Sequence, residues 1–126
     1  MPITRIALVG HCGFDSGSLK RFAQVVAPQA EVTRVNDQRA LDDVAGPDTL
    51  LLINRVLDGA FRVGGSGVDL IRDTAQADEP PAMMLISNYE DAQQEAIDAG
   101  ALRGFGKSHI ADTNTTERVA DTIASL

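Results

Sequence analysis

The sequence is poor in aromatic residues, in cysteine and in positive charge. Aromatic residues make up only 4% of the 126 residues, and there is no tryptophan. The single cysteine, Cys12, cannot form an internal disulfide, which agrees with a reducing compartment. The 11 Lys and Arg residues are outnumbered by 18 Asp and Glu residues, so the net charge is -7. Because nucleic acids and anionic lipids bind clustered positive charge, we expect no direct nucleic-acid partner.

Long hydrophobic runs are also absent. The longest apolar runs span residues 49–53 and 82–86, far short of the roughly 20 residues that cross a bilayer. The N-terminus enters a strand pattern at once, without the apolar stretch of a secretory signal. We therefore expect no membrane segment and a cytoplasmic location. The length of 126 residues predicts one domain, residues 1–126, whose core needs no disulfide or metal, and the hydrophobic content of 44% is that of an ordinary globular protein.

Short apolar runs alternate along the chain with amphipathic stretches. We predict five strands, at residues 6–9, 31–35, 49–53, 82–86 and 102–105. Helices are predicted at about residues 16–26, around 40–44 and 68–71, and at 90–99 and 113–125. The expected caps are Asp15 or Ser16, Asn36 or Asp37, and Asn88 at N-termini, and Gly100 at a C-terminus. This alternation predicts an α/β fold in which helices cover both faces of a five-stranded parallel sheet.

Ligands of such sheets collect at the carboxyl ends of the strands. The residues that follow the central strands are the candidates for a functional site: Gly10-His11-Cys12, Asn54-Arg55, Ser87-Asn88 and Lys107-Ser108. The first of these segments continues to Ser18 and is rich in glycine and hydroxyl groups, which suit either a turn or an anion-binding loop. A second glycine-rich stretch, residues 64–67, lacks the ending of a phosphate-binding loop and is interpreted as a flexible loop.

The order and spacing of several motifs resemble the receiver domain of two-component response regulators. Pro47-Asp48 and the following apolar strand, Asn54-Arg55-Val56-Leu57-Asp58-Gly59, and Gly67-Val68-Asp69-Leu70-Ile71-Arg72 are similar to that family's phosphoacceptor strand, loop and third helix. Residues 81–87 resemble its fourth strand, and Gly100-Ala101 followed by Phe105-Gly106-Lys107 resembles the pattern at its fifth strand. The resemblance covers essentially the whole chain and implies a flavodoxin-like, three-layer α/β/α fold.

In the receiver family, two acidic residues hold Mg²⁺, an aspartate accepts the phosphoryl group, and a Thr or Ser and a Lys contact the phosphate. The resemblance places three residues at the hydroxyl, aromatic and lysine positions: Ser87, Phe105 and Lys107. The two acidic positions correspond to Gly10 and His11, and the acceptor position holds Asn54. The chain therefore departs from the family pattern at the metal and acceptor positions.

These departures remove the chemistry of phosphorylation. Asn54 has neither the charge nor the anionic nucleophile of an aspartate, Gly10 offers no ligand, and His11 is a poor ligand for Mg²⁺. We therefore expect no phosphorylation at the usual position, no metal, no cofactor and no enzymatic activity. The chain is interpreted as a noncatalytic pseudo-receiver, a protein-interaction module of a two-component pathway. The resemblance implies as partner a signalling protein, an output domain, or a second copy bound through the last two helices and the fifth strand.

Two alternatives stay open at this point. The chain could be an atypical phosphorelay protein that binds an anion at Ser87 and Lys107. It could also be a small enzyme or metal binder that uses His11, Cys12 and His109, although these residues show no zinc-ligand spacing.

Any new site is expected around His11, Cys12 and Asp15, where the sequence departs most from the family. Lys107 lacks the acidic partners that would normally balance its charge. We expect an amide, a carbonyl or Asp15 to take that role.

Overall fold

The computed structural model describes residues 2–126, which form five strands and five helices. The strands are β1 (Arg5–Val9), β2 (Glu31–Val35), β3 (Thr49–Asn54), β4 (Ala82–Ile86) and β5 (Leu102–Phe105). The helices are α1 (Gly13–Val26), α2 (Gln38–Val44), α3 (Gly67–Thr74), α4 (Glu90–Ala99) and α5 (Thr113–Ala124), with a short 3₁₀ turn at Lys107–His109. Within the described residues, no helix is long and apolar enough to cross a membrane.

All five strands lie parallel in one sheet, in the order β2-β1-β3-β4-β5. β1 pairs with β3, with Val9 opposite Ile53, although β2 lies between them in sequence. The direction of winding therefore reverses between β1 and β3, where such sheets open a crevice at their carboxyl ends. The predicted flavodoxin-like α/β/α fold is confirmed.

Alternate side chains of the central strands supply two separate cores. Leu50 and Leu52 of β3 belong to a cluster that includes Leu19 of α1 and residues of α5. Leu51 and Ile53 belong to a second cluster on the opposite face, under α2, α3 and α4. Because each fully buried Leu or Ile contributes about 1.5–3 kcal/mol, a strand covered on both faces is apolar throughout rather than alternating.

Helix α1 begins earlier than the sequence suggested. Cys12 is its N-cap residue, and no side chain caps it. The expected caps, Asp15 and Ser16, lie inside the helix, where the Ser16 hydroxyl donates to the His11 carbonyl oxygen at 3.5 Å. The expectation of a long loop before this helix was wrong, because residues 10–12 alone connect β1 to α1.

The other predicted caps have mixed outcomes. Asp37 caps α2 by accepting a backbone N–H at 2.8 Å, and Gly100 ends α4 with a φ of +118°, both as predicted. Asn88 does not cap α4, because Tyr89 is the N-cap residue. The Asn88 side chain instead accepts hydrogen bonds from the backbone and the hydroxyl of Ser108, so it ties the β4–α4 loop to the turn after β5.

Gln93 of α4 is a buried polar side chain that joins the helix to β4 and β5. Its Nε2 donates to the carbonyl oxygens of Leu85 at 2.9 Å and Ser87 at 3.1 Å, and its Oε1 accepts from the Gly104 N–H at 3.0 Å. Gln93 is only 3% exposed, and it lies where the pairing of β4 with β5 is irregular. The side chain therefore satisfies backbone groups that water cannot reach.

We predict that Gln93→Met lowers the free energy of unfolding by about 2–4 kcal/mol. The substitution leaves the buried Gly104 N–H without an acceptor and removes the donor to two carbonyl oxygens. Urea denaturation followed by circular dichroism measures the effect. The matched control is Gln94→Met, at the exposed next position, where the side chain bonds only to Asp98. Equal stability of the two variants would contradict the role assigned to Gln93.

Candidate functional site

Gly10 lies at the end of β1, at the point where the winding of the sheet reverses. Its φ is +74°, and a Cβ at this position would lie 2.6 Å from Leu57 Cδ2 and 3.1 Å from Leu57 Cα. The backbone conformation and the lack of space both favour glycine. A carboxylate at this position would therefore require the chain around Leu57 to move.

His11 points into the protein rather than toward solvent. The residue is fully buried, and its Nε2 lies 2.8 Å from the carbonyl oxygen of Leu52 on β3. Because a carbonyl only accepts, this nitrogen carries the proton and donates it. The His11 backbone oxygen accepts from Arg34 at 3.1 Å and from Asn36 at 3.2 Å. His11 thus connects the ends of β1, β2 and β3.

Burial lowers the pKa of His11 from 6.5 to about 4. Its hydrogen bond to Leu52 raises the pKa in part, the Lys107 charge lowers it further, and Asp15 and Arg34 have smaller opposing effects. The imidazole is therefore neutral near pH 7. Its role at the carboxyl edge of the sheet is structural, because its one ring N–H donates to the Leu52 carbonyl oxygen.

Both N–H groups and the oxygen of the Asn54 side chain form hydrogen bonds within the protein. Its Nδ2 donates to the carbonyl oxygens of Gly10 at 3.0 Å and Val56 at 2.8 Å. Its Oδ1 accepts from Lys107 Nζ at 3.3 Å. Two acceptors on one side and a cation on the other fix the orientation of the amide. A carboxylate here would direct an oxygen at two carbonyl oxygens.

Lys107 forms a salt bridge with Asp15, the residue that the sequence suggested as one source of balancing charge. The Lys107 Nζ lies 2.7 Å from Asp15 Oδ2, and the two side chains are 33% and 29% exposed. The hydrogen bond from Lys107 holds the pKa of the Asp15 carboxyl below its usual range. The lysine charge is therefore neutralised within the chain.

A cleft of about 410 Å³ opens beside this cluster. The residues that line it come from the ends of β3, β4 and β5: Asn54, Arg55, Val56, Ile86, Ser87, Asn88, Tyr89 and Lys107. The Ser87 hydroxyl accepts the Tyr89 backbone N–H at 3.1 Å, and the Arg55 guanidinium lies 5.0 Å from the centre of the Tyr89 ring. The cleft is an open depression whose lining is part polar and part apolar, with one stacked aromatic side chain at its rim.

Phe105 does not line the cleft. It is 4% exposed and packs against Phe22 of α1, with ring centroids 4.7 Å apart and an interplanar angle of 44°. The aromatic position of the resemblance is therefore part of the core beneath α1.

His11, Cys12 and His109 do not form a site together. His11 is buried, Cys12 is exposed, and His109 pairs with Asp112 at 2.9 Å on the surface. Within residues 2–126, no group of three or more His, Cys, Asp or Glu side chains is arranged to hold a metal ion. The geometry brings together Asn54, Lys107 and Asp15 instead.

The sequence analysis did not include Arg34 in the site, and it considered Asn36 only as a possible cap of α2. Both follow or end the edge strand β2 and donate to the backbone around residues 10–12, and Asn36 Nδ2 also donates to Asp58 O at 2.7 Å. The available signal was their position at the end of β2, next to the strand that carries Gly10 and His11.

We predict that stability falls between pH 6.5 and pH 4 because of His11. In this range His11 is protonated in the unfolded state but neutral in the folded state. The contribution of the neutral His11 to stability is therefore complete above pH 6.5 and is lost as the pH falls to about 4. The difference corresponds to about 3 kcal/mol. Denaturation at several pH values should show that His11→Leu flattens this dependence, whereas the surface control His109→Gln retains it. An unchanged slope in His11→Leu would contradict the assignment.

No family model matches the sequence, and no curated protein matches it. Solved structures do match. A response regulator from Colwellia psychrerythraea is similar with a TM-score of 0.63 and 19% identity, over 98% of this chain and 95% of that one. The signal receiver domain of a DNA binding response regulator from C. psychrerythraea 34H has a TM-score of 0.67 and 13% identity, over 97% and 98% of the two chains.

A response regulator receiver domain from Rhodospirillum rubrum is similar with a TM-score of 0.65 and 12% identity, over 95% of this chain and 91% of that one. These identities are low, but the agreement extends over nearly the whole length of each chain. The chain therefore has the fold of a response-regulator receiver domain.

Proposed function

We propose that this chain is a noncatalytic pseudo-receiver, a signalling and protein-interaction module that is not phosphorylated at the usual acceptor position. The observation that carries the proposal is the Asn54 amide, whose two N–H groups and one oxygen are all bonded within the protein. No group at this position is left to attack a phosphoryl donor.

The metal positions support the same proposal. Mg²⁺ prefers hard oxygen ligands, especially carboxylates. Gly10 has no side chain, and the His11 ring is buried with its proton on the Leu52 carbonyl oxygen. The carboxylate nearest to Lys107 is that of Asp15, which is already paired with the lysine. Phosphoryl transfer depends on metal and fixed positive charge to offset the phosphate oxygens. Here Gly10 and His11 provide no carboxylate for a metal, and the lysine charge is paired with Asp15.

The salt bridge between Lys107 and Asp15 suggests that the domain has one constitutive conformation. In the receiver pattern the lysine contacts a phosphoryl group that is added by phosphorylation and removed by hydrolysis. Here an internal carboxylate takes that place, at 2.7 Å from Lys107, and it cannot be removed by hydrolysis. The domain would then act by presenting fixed surfaces to a protein partner rather than by switching on phosphorylation.

The surface formed by α4, β5 and α5 is the one that the resemblance suggests for a partner, an output domain or a second copy. Arg103 of β5 forms a two-point salt bridge with Glu90 of α4, and Arg118 of α5 donates to the carbonyl oxygens of Arg103 and Gly104. These contacts join the three elements into one polar surface. A cytoplasmic signalling role fits such a surface.

A second candidate function is binding of a free anion in the cleft. Arg55, Ser87 and Lys107 line the cleft, which gives this alternative a specific basis. It requires Lys107 to be released from Asp15. An anion would therefore compete with an internal carboxylate, and the intact pair favours the pseudo-receiver.

We predict that incubation with acetyl phosphate and Mg²⁺ leaves the chain unmodified in an intact-mass measurement, since both the nucleophile and the metal ligands are absent. An active receiver domain treated in parallel is the positive control. A stoichiometric, acid-labile phosphoryl adduct on this chain would disprove the proposal.

We predict that Asn54→Asp alone does not restore phosphorylation, because Gly10 and His11 still provide no carboxylate for Mg²⁺. The variant should also be less stable by about 1–3 kcal/mol, because a carboxylate oxygen replaces the donor to two carbonyl oxygens. The same mass measurement and a urea denaturation test both parts. Full phosphorylation of the variant would show that the metal positions have kept their function.

We predict that inorganic phosphate raises the melting temperature of Asp15→Asn but not that of the wild-type chain, because the substitution frees the Lys107 charge. Thermal denaturation with and without phosphate, at constant ionic strength, measures this. The double variant Asp15→Asn/Lys107→Met is the control and should not respond. A phosphate response in the wild-type chain would favour the anion-binding alternative.

A further inference from the structure

The cleft at the ends of β3, β4 and β5 carries positive charge in an acidic protein. The chain has a net charge of -7, yet the described residues that line this cleft include two cations, Arg55 and Lys107, and no Asp or Glu. A neighbouring cleft of about 330 Å³ shares Arg55 and Val56 with it, but Asp69 and Glu95 also line that second cleft. The charge therefore favours an anionic ligand in the first cleft and not in the second.

Arg55 is the free cation of the cleft. Lys107 pairs with Asp15 at 2.7 Å, whereas within residues 2–126 the Arg55 side chain takes part in no salt bridge and donates no hydrogen bond. The Arg55 guanidinium lies 5.0 Å from the centre of the Tyr89 ring, and this cation–π contact orients it at the rim. A stacked guanidinium keeps its N–H donors available to a phosphate or a carboxylate.

The other polar side chains of the cleft have occupied acceptors and free donors. Asn54 Oδ1 accepts from Lys107, and Asn88 Oδ1 accepts from the backbone and the hydroxyl of Ser108. Ser87 Oγ accepts a backbone N–H, but the Ser87 hydroxyl proton and the Asn88 Nδ2 group have no acceptor in the part of the chain that the structure describes. Ser87 is only 8% exposed. A lining of free donors with one buried hydroxyl matches the acceptor oxygens of a phosphate group.

Two exposed apolar side chains border these donors. Tyr89 is 63% exposed and Val56 is 58% exposed, and both line the cleft. A planar ring stacks well on an aromatic side chain or on a guanidinium, and every nucleobase has such a face. The cleft volume of about 410 Å³ lies within the range of small-molecule sites, about 300–1,000 Å³. The ligand that uses both the donors and the apolar rim is therefore an anion that carries a planar ring.

We propose that the cleft binds a purine nucleoside monophosphate. Its phosphate accepts hydrogen bonds from Arg55, Ser87 and Asn88, and its base stacks on the Arg55–Tyr89 pair. A purine has two fused rings, which extend from Tyr89 over Val56. Neither the phosphate nor the base alone makes both sets of contacts.

This site leaves Lys107 in place. Its Nζ stays on Asp15 at 2.7 Å and on the Asn54 oxygen at 3.3 Å, because the free donors of the cleft suffice for the phosphate. Inorganic phosphate has no ring to stack on the rim, and ion pairs with exposed groups contribute little by themselves. The nucleotide therefore binds without release of the lysine, whereas a free anion needs that release.

The test is calorimetric titration of the full chain with adenosine 5′-monophosphate and with guanosine 5′-monophosphate, at constant ionic strength. Adenosine and inorganic phosphate are the fragment controls. We expect at least one nucleotide to bind at least about tenfold more tightly than either fragment, because only the nucleotide uses both the donors and the rim. Failure of both nucleotides to bind, or equal binding of phosphate alone, would overturn the proposal.

Variants assign the binding to the cleft. Tyr89→Leu and Arg55→Met should each weaken nucleotide binding at least about tenfold, as is typical of anchoring side chains, whereas Tyr89→Phe keeps the ring and should retain binding. Phe14→Leu and Arg39→Met are the matched controls, at exposed positions away from the cleft, and should bind like the wild type. Undiminished binding by Tyr89→Leu, or an equal loss in the controls, would contradict the assignment.

Nuclear magnetic resonance locates the bound base. The ring current of the purine should shift the backbone amide signals of Val56, Asn88 and Tyr89 and leave those of α2 unchanged. Shifts confined to α2 would place the ligand elsewhere and overturn the proposal. Phosphorylation is measured separately by intact mass, so failure of nucleotide binding leaves the proposed pseudo-receiver function untouched.

Discussion

The hydrogen bonds of one amide organise the carboxyl edge of this sheet. Asn54 bonds the end of β1 through Gly10 and the loop after β3 through Val56, and it holds the lysine that follows β5. These three segments are far apart in sequence, and the Asn54 side chain contacts all of them. Because the bonds use two donors and one acceptor, an amide satisfies them and a carboxylate cannot. The amide at position 54 therefore binds this edge of the sheet together.

Charge balance explains why Lys107 pairs with Asp15. A half-buried ammonium group without acidic neighbours would lose hydration and gain nothing in return. The early start of α1 at Gly13 places Asp15 on the first turn, where its carboxylate reaches Lys107. Asp15 therefore balances the Lys107 charge at an edge where Gly10 and His11 carry no carboxylate. His11 fits it as a neutral side chain, since another cation beside Lys107 would be repelled.

The sequence predicted the fold because strand positions depend on local patterns, and the apolar run that ends at Asn54 can only be a buried strand. The expectation that Lys107 needs another source of negative charge came instead from the resemblance, which aligned Gly10 and His11 with the acidic positions of the family. The sequence did not predict the direction of His11, because neighbouring residues at a strand end point apart and only the position of the Leu52 carbonyl selects the inward one. The role of Gln93 was also not predicted, because the backbone groups that it bonds are left without sheet partners only where β4 and β5 lose register.

The first turn of helix α1 connects the closed site to the surface of the domain. Phe14 and Asp15 are adjacent in its first turn, and their side chains leave the helix about 100° apart. Phe14 is exposed to solvent, while Asp15 holds Lys107 beneath it. The position of the first turn of α1 therefore sets the distance between Asp15 and Lys107. Asp15 holds the lysine from the α1 side and the Asn54 amide holds it from the β3 side, so the first turn of α1 belongs to the site as much as the sheet edge does.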